Sequence, residues 1–375
     1  MRFSCTKENL SLALSLTSGL TGKNSNLPIL GSVLLKADQQ KVDVIATNLE
    51  LAIVVSVRAK IDLPGTFTVP SRTLAEFVAL LPNEKVDVEL VGNELLIHCA
   101  KSTTKIKGGP ADEFPIIPTL EDGKGFSVGR NDLKSALSQV LPAVAKNEIR
   151  PELAGVFFGF TSEADGGNKL TLASTDSYRL AERVVPVTQA TEECRVVVPG
   201  RTAQEINHCL LASGDQGDPT VSLILTDNQI SVRHEGVQII SRLVEGNYPD
   251  YAQIIPTQFK TTAVISVDKL NKELKAAGVF TTSGVNAATL TFKPTTGVVE
   301  ITSASLQTGD YHSEFPAEIT GAEVTVFLNH RYVLDGLSAA GSDTVEIKIV
   351  DGDSPCLITV PGNNNFRYVV MPIRQ

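Results

Sequence analysis

A chain of 375 residues exceeds what one ordinary core organises and implies two or three domains. Its 42% hydrophobic and 20% charged residues are those of a soluble globular protein, and no apolar run nears the roughly 18 residues of a membrane span, so no membrane partner is expected. The net charge of −9 argues against phosphate binding unless the basic residues gather on one face. Cys5, Cys99, Cys194, Cys209 and Cys356 are dispersed with no CxxC pair, which fits reduced thiols and speaks against a disulfide framework or a zinc site. MRFSCTKENL has no signal-peptide core, and a cytoplasmic location is expected.

From Phe3, FSCTKENLSLALSL reads as a short apolar strand, a turn and an amphipathic helix. Alternating strands follow in VDVIATNLELAIVVSV at 42–57, and FTVPSRTLAEFVALL from Phe67 repeats the strand-turn-helix unit. VDVELVGNELLIHC at 86–99 reads as half-buried antiparallel strands, and EFPIIP at 113–118 ends the segment. The pattern then starts again with FSVGRNDLKSALSQVL from Phe126. STDSYRLA from Ser174 takes the place of ATNLELA from Ala46, and VVVPGRTAQEINHCLL from Val196 that of FTVPSRTLAEFVALL. NYPDYAQIIP at 247–256 then replaces EFPIIP. A third round brings ISVDKLNKELKAA from Ile265, VTVFLNHRYVLDGLSAA from Val324 and the closing VVMPIR. Pro70, Pro199 and Asn329 fall 129 and 130 residues apart. Markers in the same order imply three tandem domains, 1–122, 123–258 and 259–375, with linkers near 121–124 and 256–260. Each is doubled inside, so the expected fold class is α+β, with two helices per domain packed on antiparallel sheets.

TDSYRL at 175–180 crowds a carboxylate, two hydroxyls, a phenol and a guanidinium into six residues. Asp176 and Ser177 nevertheless have no partner that makes them a base and a nucleophile. His98, His208, His234, His312 and His330 show no HExxH or other ligand spacing, and GxSxG, P-loop and GxGxxG patterns are absent. No catalytic residue, metal or cofactor is expected. Nor is there a helix-turn-helix, zinc finger or RNP signature, so binding to nucleic acid would follow its backbone. Lys269, Lys272 and Lys275 recur every three residues, and other cations lie in or beside the helices. On pattern alone these are solvated faces.

NLPILGSVLL at 26–35, the VPSRT and VPGRT turns, TDSYRLA, RLVEGNYPDY at 242–251 and the final YVVMPIR resemble the bacterial replicative sliding clamps, the beta subunits of DNA polymerase III. The resemblance runs from Phe3 to Arg374, and its specificity lies in the joint order of short motifs on a threefold repeat. It implies a head-to-tail homodimeric ring, strands outside and helices lining a hole for double-stranded DNA. A chain of this kind is a processivity factor with no catalysis of its own. Basic residues then need only face the hole. The implied DNA contacts are Lys23, nearest the family's basic position before LPIL, and Arg72 in the first turn, with Lys134, Lys146, Arg150, Arg201 and Lys272 in or beside the helices. Thr73 stands where some members carry Lys, and Asn147, Arg150 and Pro151 depart from the polar or aromatic residues used there.

The family docks short peptides, with anchors of the Gln-x-x-Leu-Phe kind, between its second and third domains. The matching positions are Leu153 with Thr175, Ser177, Tyr178, Arg179 and Leu180, then Pro249, Gln253 and Ile254. Ser354 joins the rim, and Val369, Val370, Met371, Pro372, Ile373 and Arg374 complete the site. Leu153, Leu180, Ile254, Val370 and Met371 would wall a pocket while Arg179 orients the peptide backbone. Ser177 and Gln253 replace the Gly and Arg common elsewhere in the family. On spacing alone VVMPIR is instead an edge strand with Met371 buried. For ring closure the resemblance points to the strand at 101–107, notably Ile106, against Ala277, Val279 and Phe280; the domain's own core is the other reading of Val279 and Phe280. The implied partners are duplex DNA, a second copy of the chain, the DNA polymerase III alpha subunit, the clamp loader, and other polymerases and repair factors with clamp-binding peptides. A non-catalytic peptide-binding scaffold and a clamp paralogue with altered DNA loading are the alternatives.

Overall fold

The computed structural model of the chain describes residues 1–21, 27–147, 149–162, 167–190, 192–212, 214, 217–282 and 284–374. Each main helix is entered directly from a strand. Arg2–Thr6 leads into α1 (Lys7–Ser18), Gly65–Pro70 into α2 (Ser71–Ala79) and Lys124–Gly129 into α3 (Arg130–Val140). Cys194–Pro199 leads into α4 (Gly200–Ala212), Thr261–Ser266 into α5 (Val267–Val279) and Val324–Asn329 into α6 (His330–Ala340). Side chains mark two of these switches: Thr6 accepts from the Asn9 N–H at 3.4 Å and Asn329 from the Arg331 N–H at 3.0 Å. Every helix buries one stripe, for example Leu10, Ala13, Leu14 and Thr17 in α1 and Leu270, Leu274 and Ala277 in α5. Lys269, Lys272 and Lys275 remain exposed on α5.

The chain forms two compact units, residues 1–131 with 188–192 and 204–243, and residues 132–187 with 193–203 and 244–375. In the first, one antiparallel sheet runs Gly65–Pro70, Ser32–Ala37, Lys41–Thr47, Leu51–Arg58, Val237–Arg242, Gln229–His234, Thr220–Leu225, Lys124–Gly129. Its middle pairing, Ile53 opposite Ile239, joins strands that lie far apart in sequence. A second sheet runs Lys60–Leu63, Arg2–Thr6, Lys85–Val91, Glu94–Cys99, Ser102–Lys107. Helices α1 and α2 pack together, with α1 also against the strands 41–47 and 51–58. Phe3, Leu10, Leu14, Leu35 and Ile53 are wholly buried there. Each such side chain contributes about 1.5–3 kcal/mol on leaving water.

The second unit repeats this arrangement. One sheet runs Cys194–Pro199, Gly155–Ser162, Asn168–Thr175, Arg179–Ala190, Asn363–Val370, Cys356–Val360, Thr344–Ile349, Thr261–Ser266 and Glu318–Gly321. Another runs Val324–Asn329, Ala287–Lys293, Val298–Ser305, Gly309–Pro316. Helices α5 and α6 pack side by side, and α6 lies against the strand 363–370. That contact is close enough to require a glycine inside the helix. A Cβ on Gly336 would sit 2.6 Å from Cδ1 of the fully buried Tyr368. The Gly336→Ala variant is therefore expected to lower stability by about 1–3 kcal/mol through overpacking, although Ala is the better helix former by about 0.8–1.0 kcal/mol. Thermal unfolding checks the sign.

Candidate functional site

The turn at 175–179 is held by its own polar side chains. The Thr175 hydroxyl accepts from the Ser177 N–H at 3.1 Å and donates to the Arg179 carbonyl at 2.7 Å. One carboxylate oxygen of Asp176 accepts from the Tyr178 and Arg179 N–H groups, both at 3.0 Å. Ser177 is thereby kept left-handed at φ +74°. The groups that suggested catalysis are committed to shaping backbone. The strand leaving this turn pairs Arg179 with Val370 and Leu180 with Val369, and the Tyr178 carbonyl accepts from the Met371 N–H at 2.9 Å.

A third segment closes on the same place. Leu180, Leu357 and Val369 form a buried cluster against which Tyr251, Ile255 and Phe259 pack. Tyr248 and Tyr251 stack around Phe157, with ring centroids 5.5 and 6.0 Å from it. Burial, followed by Glu182, pushes the Tyr251 phenol well above its usual range. Sequence reasoning singled out Pro249, Gln253 and Ile254 in this segment but missed the two tyrosines. Their signal was the change from EFPIIP to NYPDYAQIIP.

Depth sorts the predicted pocket residues. Tyr178 is 63% and Ile254 40% exposed. Gln253, bonded to Asp250 at 2.8 Å, is exposed, as are Ser177 and Arg374. Pro249, Ser354, Met371, Pro372 and Ile373 are half-buried. The Ser354 hydroxyl holds the Asp351 carboxyl below its ordinary range. Leu153, Thr175, Leu180, Val369 and Val370 are buried in the free chain. Met371 is not buried as a plain edge strand would have it.

Arg179 needs correcting. It is only 5% exposed and turns away from the rim. Its Nε meets Asp176 at 3.0 Å, one Nη bonds Asp335 of α6 and lies 3.5 Å from the Tyr368 hydroxyl, and the guanidinium sits 4.5 Å from the Tyr332 ring centroid. Burial works against the charge, but Tyr368, Asp335 and Asp176 outweigh it and hold the pKa above its ordinary value.

The implied DNA contacts are mostly at the surface. Lys23 lies outside the described residues. Lys146, Arg150, Arg201, Arg72 and Lys272 are exposed and Lys134 is half-buried. Arg72 pairs with Glu76 at 2.6 Å and Arg150 with Glu152 at 3.0 Å. Of the interface residues, Ile106 (7% exposed) and Ala277 (0%) are corrected to core positions, each packed into its own unit. Val279 is 65% exposed, and Phe280 is half-buried with its ring stacked on Tyr311 at 6.0 Å. Leu80, 86% exposed just past α2, is an apolar surface residue that pattern reading passed over. Glu300, His312 and Glu314 cluster on one sheet, where Lys293 lies 3.0 Å from Glu314 and also pairs with Glu300, so an ammonium already takes the cation's place.

Repeated sheets and shared junction strands, with the polar groups of the 175–179 turn spent on holding backbone, define a three-domain clamp fold. The DNA polymerase III beta subunit is matched along the chain, its N-terminal domain at 1–118, its central domain at 127–250 and its C-terminal domain at 252–374. The chain is 28% identical over 395 residues to the beta sliding clamp of Synechocystis, covering 100% of this chain and 99% of that one. It superposes on the DNA polymerase III beta subunit of Thermotoga maritima with TM-score 0.92 at 27% identity, covering 100% and 99% of the two chains. The Pseudomonas aeruginosa sliding clamp bound to griselimycin gives 0.92 at 25% identity, with both chains covered completely. The chain belongs to the DNA polymerase III beta subunit family, the bacterial sliding clamps, and is a processivity factor with no catalytic activity of its own. No helix among the described residues is long and apolar enough to cross a membrane.

Losing the Arg179 guanidinium would leave Asp176 and Asp335 facing each other. Arg179→Ala is expected to cost about 3 kcal/mol, the lower end for breaking a buried pair because Asp335 is half exposed. Denaturant unfolding measures it; an unchanged midpoint would return Arg179 to the rim.

Proposed function

We propose that two copies of the chain close head to tail into a ring around duplex DNA and hold replication partners by the cleft at Tyr178, Ile254 and Met371. The observation that supports this most directly is a repeated junction with one instance missing. The strand after the 47–51 turn pairs with Val237–Arg242, and the strand after the 175–179 turn pairs with Asn363–Val370. The Arg242 N–H reaches the Glu50 carbonyl at 2.9 Å, as the Met371 N–H reaches Tyr178 at 2.9 Å. Among the described residues, the third strand of each kind, Gly309–Pro316 and Ser102–Lys107, is paired on one side only and ends its sheet. Each edge leaves a row of backbone donors and acceptors open, and a two-fold head-to-tail contact covers both at once. Leu80, Val279 and Leu306, all more than half exposed, are the apolar residues that such closure would cover.

In this ring the domains are 1–122, 123–258 and 259–375. Arg72, Lys134, Lys146, Arg150, Arg201 and Lys272 face the DNA backbone. Partners are the polymerase alpha subunit, the clamp loader, and repair factors that carry clamp-binding peptides, and the setting is the cytoplasm. The peptide anchor enters between Tyr178, Ile254 and Met371, over the floor made by Leu180 and Val369. Methionine's adaptable thioether suits several peptides in one place.

Loaded onto nicked circular DNA by a clamp loader, the protein is expected to stay on the circle and leave once the DNA is linearised. Equal retention on both forms would favour the scaffold reading and sink the ring. Met371→Ala combined with deletion of residues 373–375 is expected to abolish binding of a Gln-x-x-Leu-Phe peptide while light scattering still gives the dimer mass. Unchanged affinity would remove the cleft from the site.

A further inference from the structure

The turn that floors the peptide cleft occurs a second time, in the first unit. The Thr47 hydroxyl accepts from the Leu49 N–H at 3.0 Å and donates to the Leu51 carbonyl at 3.0 Å. Asn48 accepts from the Glu50 and Leu51 N–H groups at 3.1 and 2.8 Å. Leu49 is left-handed at φ +78°, matching Ser177 at φ +74°. The same side-chain bonds therefore build both turns. The junction strand also agrees, with Arg242 standing where the second unit has Met371. The third wall has a counterpart too: Pro115 and Ile116 of EFPIIP border the first turn, and Tyr251 and Ile255 of NYPDYAQIIP pack on Leu180 at the end of the second.

Between these elements lies a cavity of about 180 Å³, lined among others by Leu49, Glu50, Ala52, Ile116, Ile240 and Arg242. It is smaller than the roughly 300 Å³ at which ligand pockets begin, a size that suits one side chain. Ile116 is 95% and Leu49 52% exposed beside it, an apolar rim that the chain itself leaves uncovered. Ala52 replaces Leu180 and leaves room at the floor. Arg242 is exposed, and its guanidinium has no partner among the described residues. That places an arginine with no ion pair among the described residues at the lip of a slot whose aliphatic side chains are joined by Thr47, Gln229, Ser241 and the Glu50 carboxylate.

We propose that this cleft is a second docking site, for an extended peptide that carries one branched aliphatic anchor next to a carboxylate. The anchor fills the slot between Ala52, Ile116 and Ile240, and the carboxylate pairs with Arg242. The proposal rests on the peptide reading of the first cleft, whose turn and walls it duplicates. It differs in chemistry, since Arg242 demands an acid where Met371 accepts an apolar group.

The test uses the full-length dimer with Ile methyl groups labelled for NMR and the first cleft disabled by Met371→Ala combined with deletion of residues 373–375. The probes are acetyl-Ser-Leu-Asp-Ser-amide and its Leu-Asn counterpart. The acidic peptide is expected to shift the Ile116 and Ile240 methyl signals saturably, at least tenfold more tightly than the Asn peptide. Arg242→Gln, a surface change, is expected to erase that preference, and Ala52→Phe to block both peptides. No saturable shift, equal affinity for the two peptides, or a preference that survives Arg242→Gln would each overturn the proposal. Failure of the first cleft shows separately, as a Gln-x-x-Leu-Phe peptide that binds the wild type and the combined Met371→Ala, 373–375 deletion variant alike.

Discussion

Backbone pairing at strand edges is the constraint on which this molecule depends. An edge strand carries donors and acceptors that water satisfies only while no better partner is present, and a long exposed edge invites uncontrolled pairing. Two of the repeat's three junctions are satisfied within the chain, at Leu51–Arg58 with Val237–Arg242 and at Arg179–Ala190 with Asn363–Val370. A threefold repeat in one chain has two internal junctions and one open pair. That pair, Ser102–Lys107 and Gly309–Pro316, consists of different strands rather than one strand facing its own copy. The proposed head-to-tail closure would follow from that difference, because one edge of each kind would meet one of the other.

The turn before each junction strand explains why TDSYRL looks like an active site. A hairpin that must place a non-glycine residue at positive φ needs outside help, and here threonine and Asx side chains provide it. Asp176 and Thr175 are the sources of that help. Arg179 then ties the turn to α6 through Asp335 and to the strand 363–370 through Tyr368. The Asp176 carboxylate, bonded to two amides and a guanidinium, is committed to holding the turn. The cluster's rigidity is instead what a peptide needs in a docking surface, since a preset wall lowers the cost of ordering on binding.

Much of this was legible in the sequence, for physical reasons that differ by feature. The strand-turn-helix units stood out because hydrophobic period changes abruptly at VPSRT, VPGRT and FLNH, and all of them form as read. The repeat supplied the tandem order. Depth was not legible. Leu180, Val369 and Ile106 have the composition of either a wall or a core, and only the packing of distant strands decides between them. Arg179 was misplaced at the rim because Asp335 and Tyr368, its partners, lie 156 and 189 residues away. Leu80 escaped notice because a leucine in an amphipathic helix ordinarily signals core, whereas here it falls just past the helix end. The second cleft was hidden for the opposite reason: TNLELA lacks the conspicuous groups of TDSYRL, although its threonine and asparagine make the same bonds.

The acidic net charge, at first an argument against DNA, suits a protein that must hold DNA without gripping it. Retention by a closed ring is topological and needs no strong phosphate contact, while movement along the duplex is slowed by each tight one. Arg72 and Arg150, two of the cations proposed to face DNA, pair with Glu76 and Glu152 on the surface. An exposed pair of this kind is weak and easily exchanged. A phosphate that passes can take the arginine from its carboxylate and give it back at small net change. If those arginines meet DNA as proposed, such carboxylate partners would level the energy from one phosphate to the next, whereas cations that all lacked them would bind more tightly and slide less.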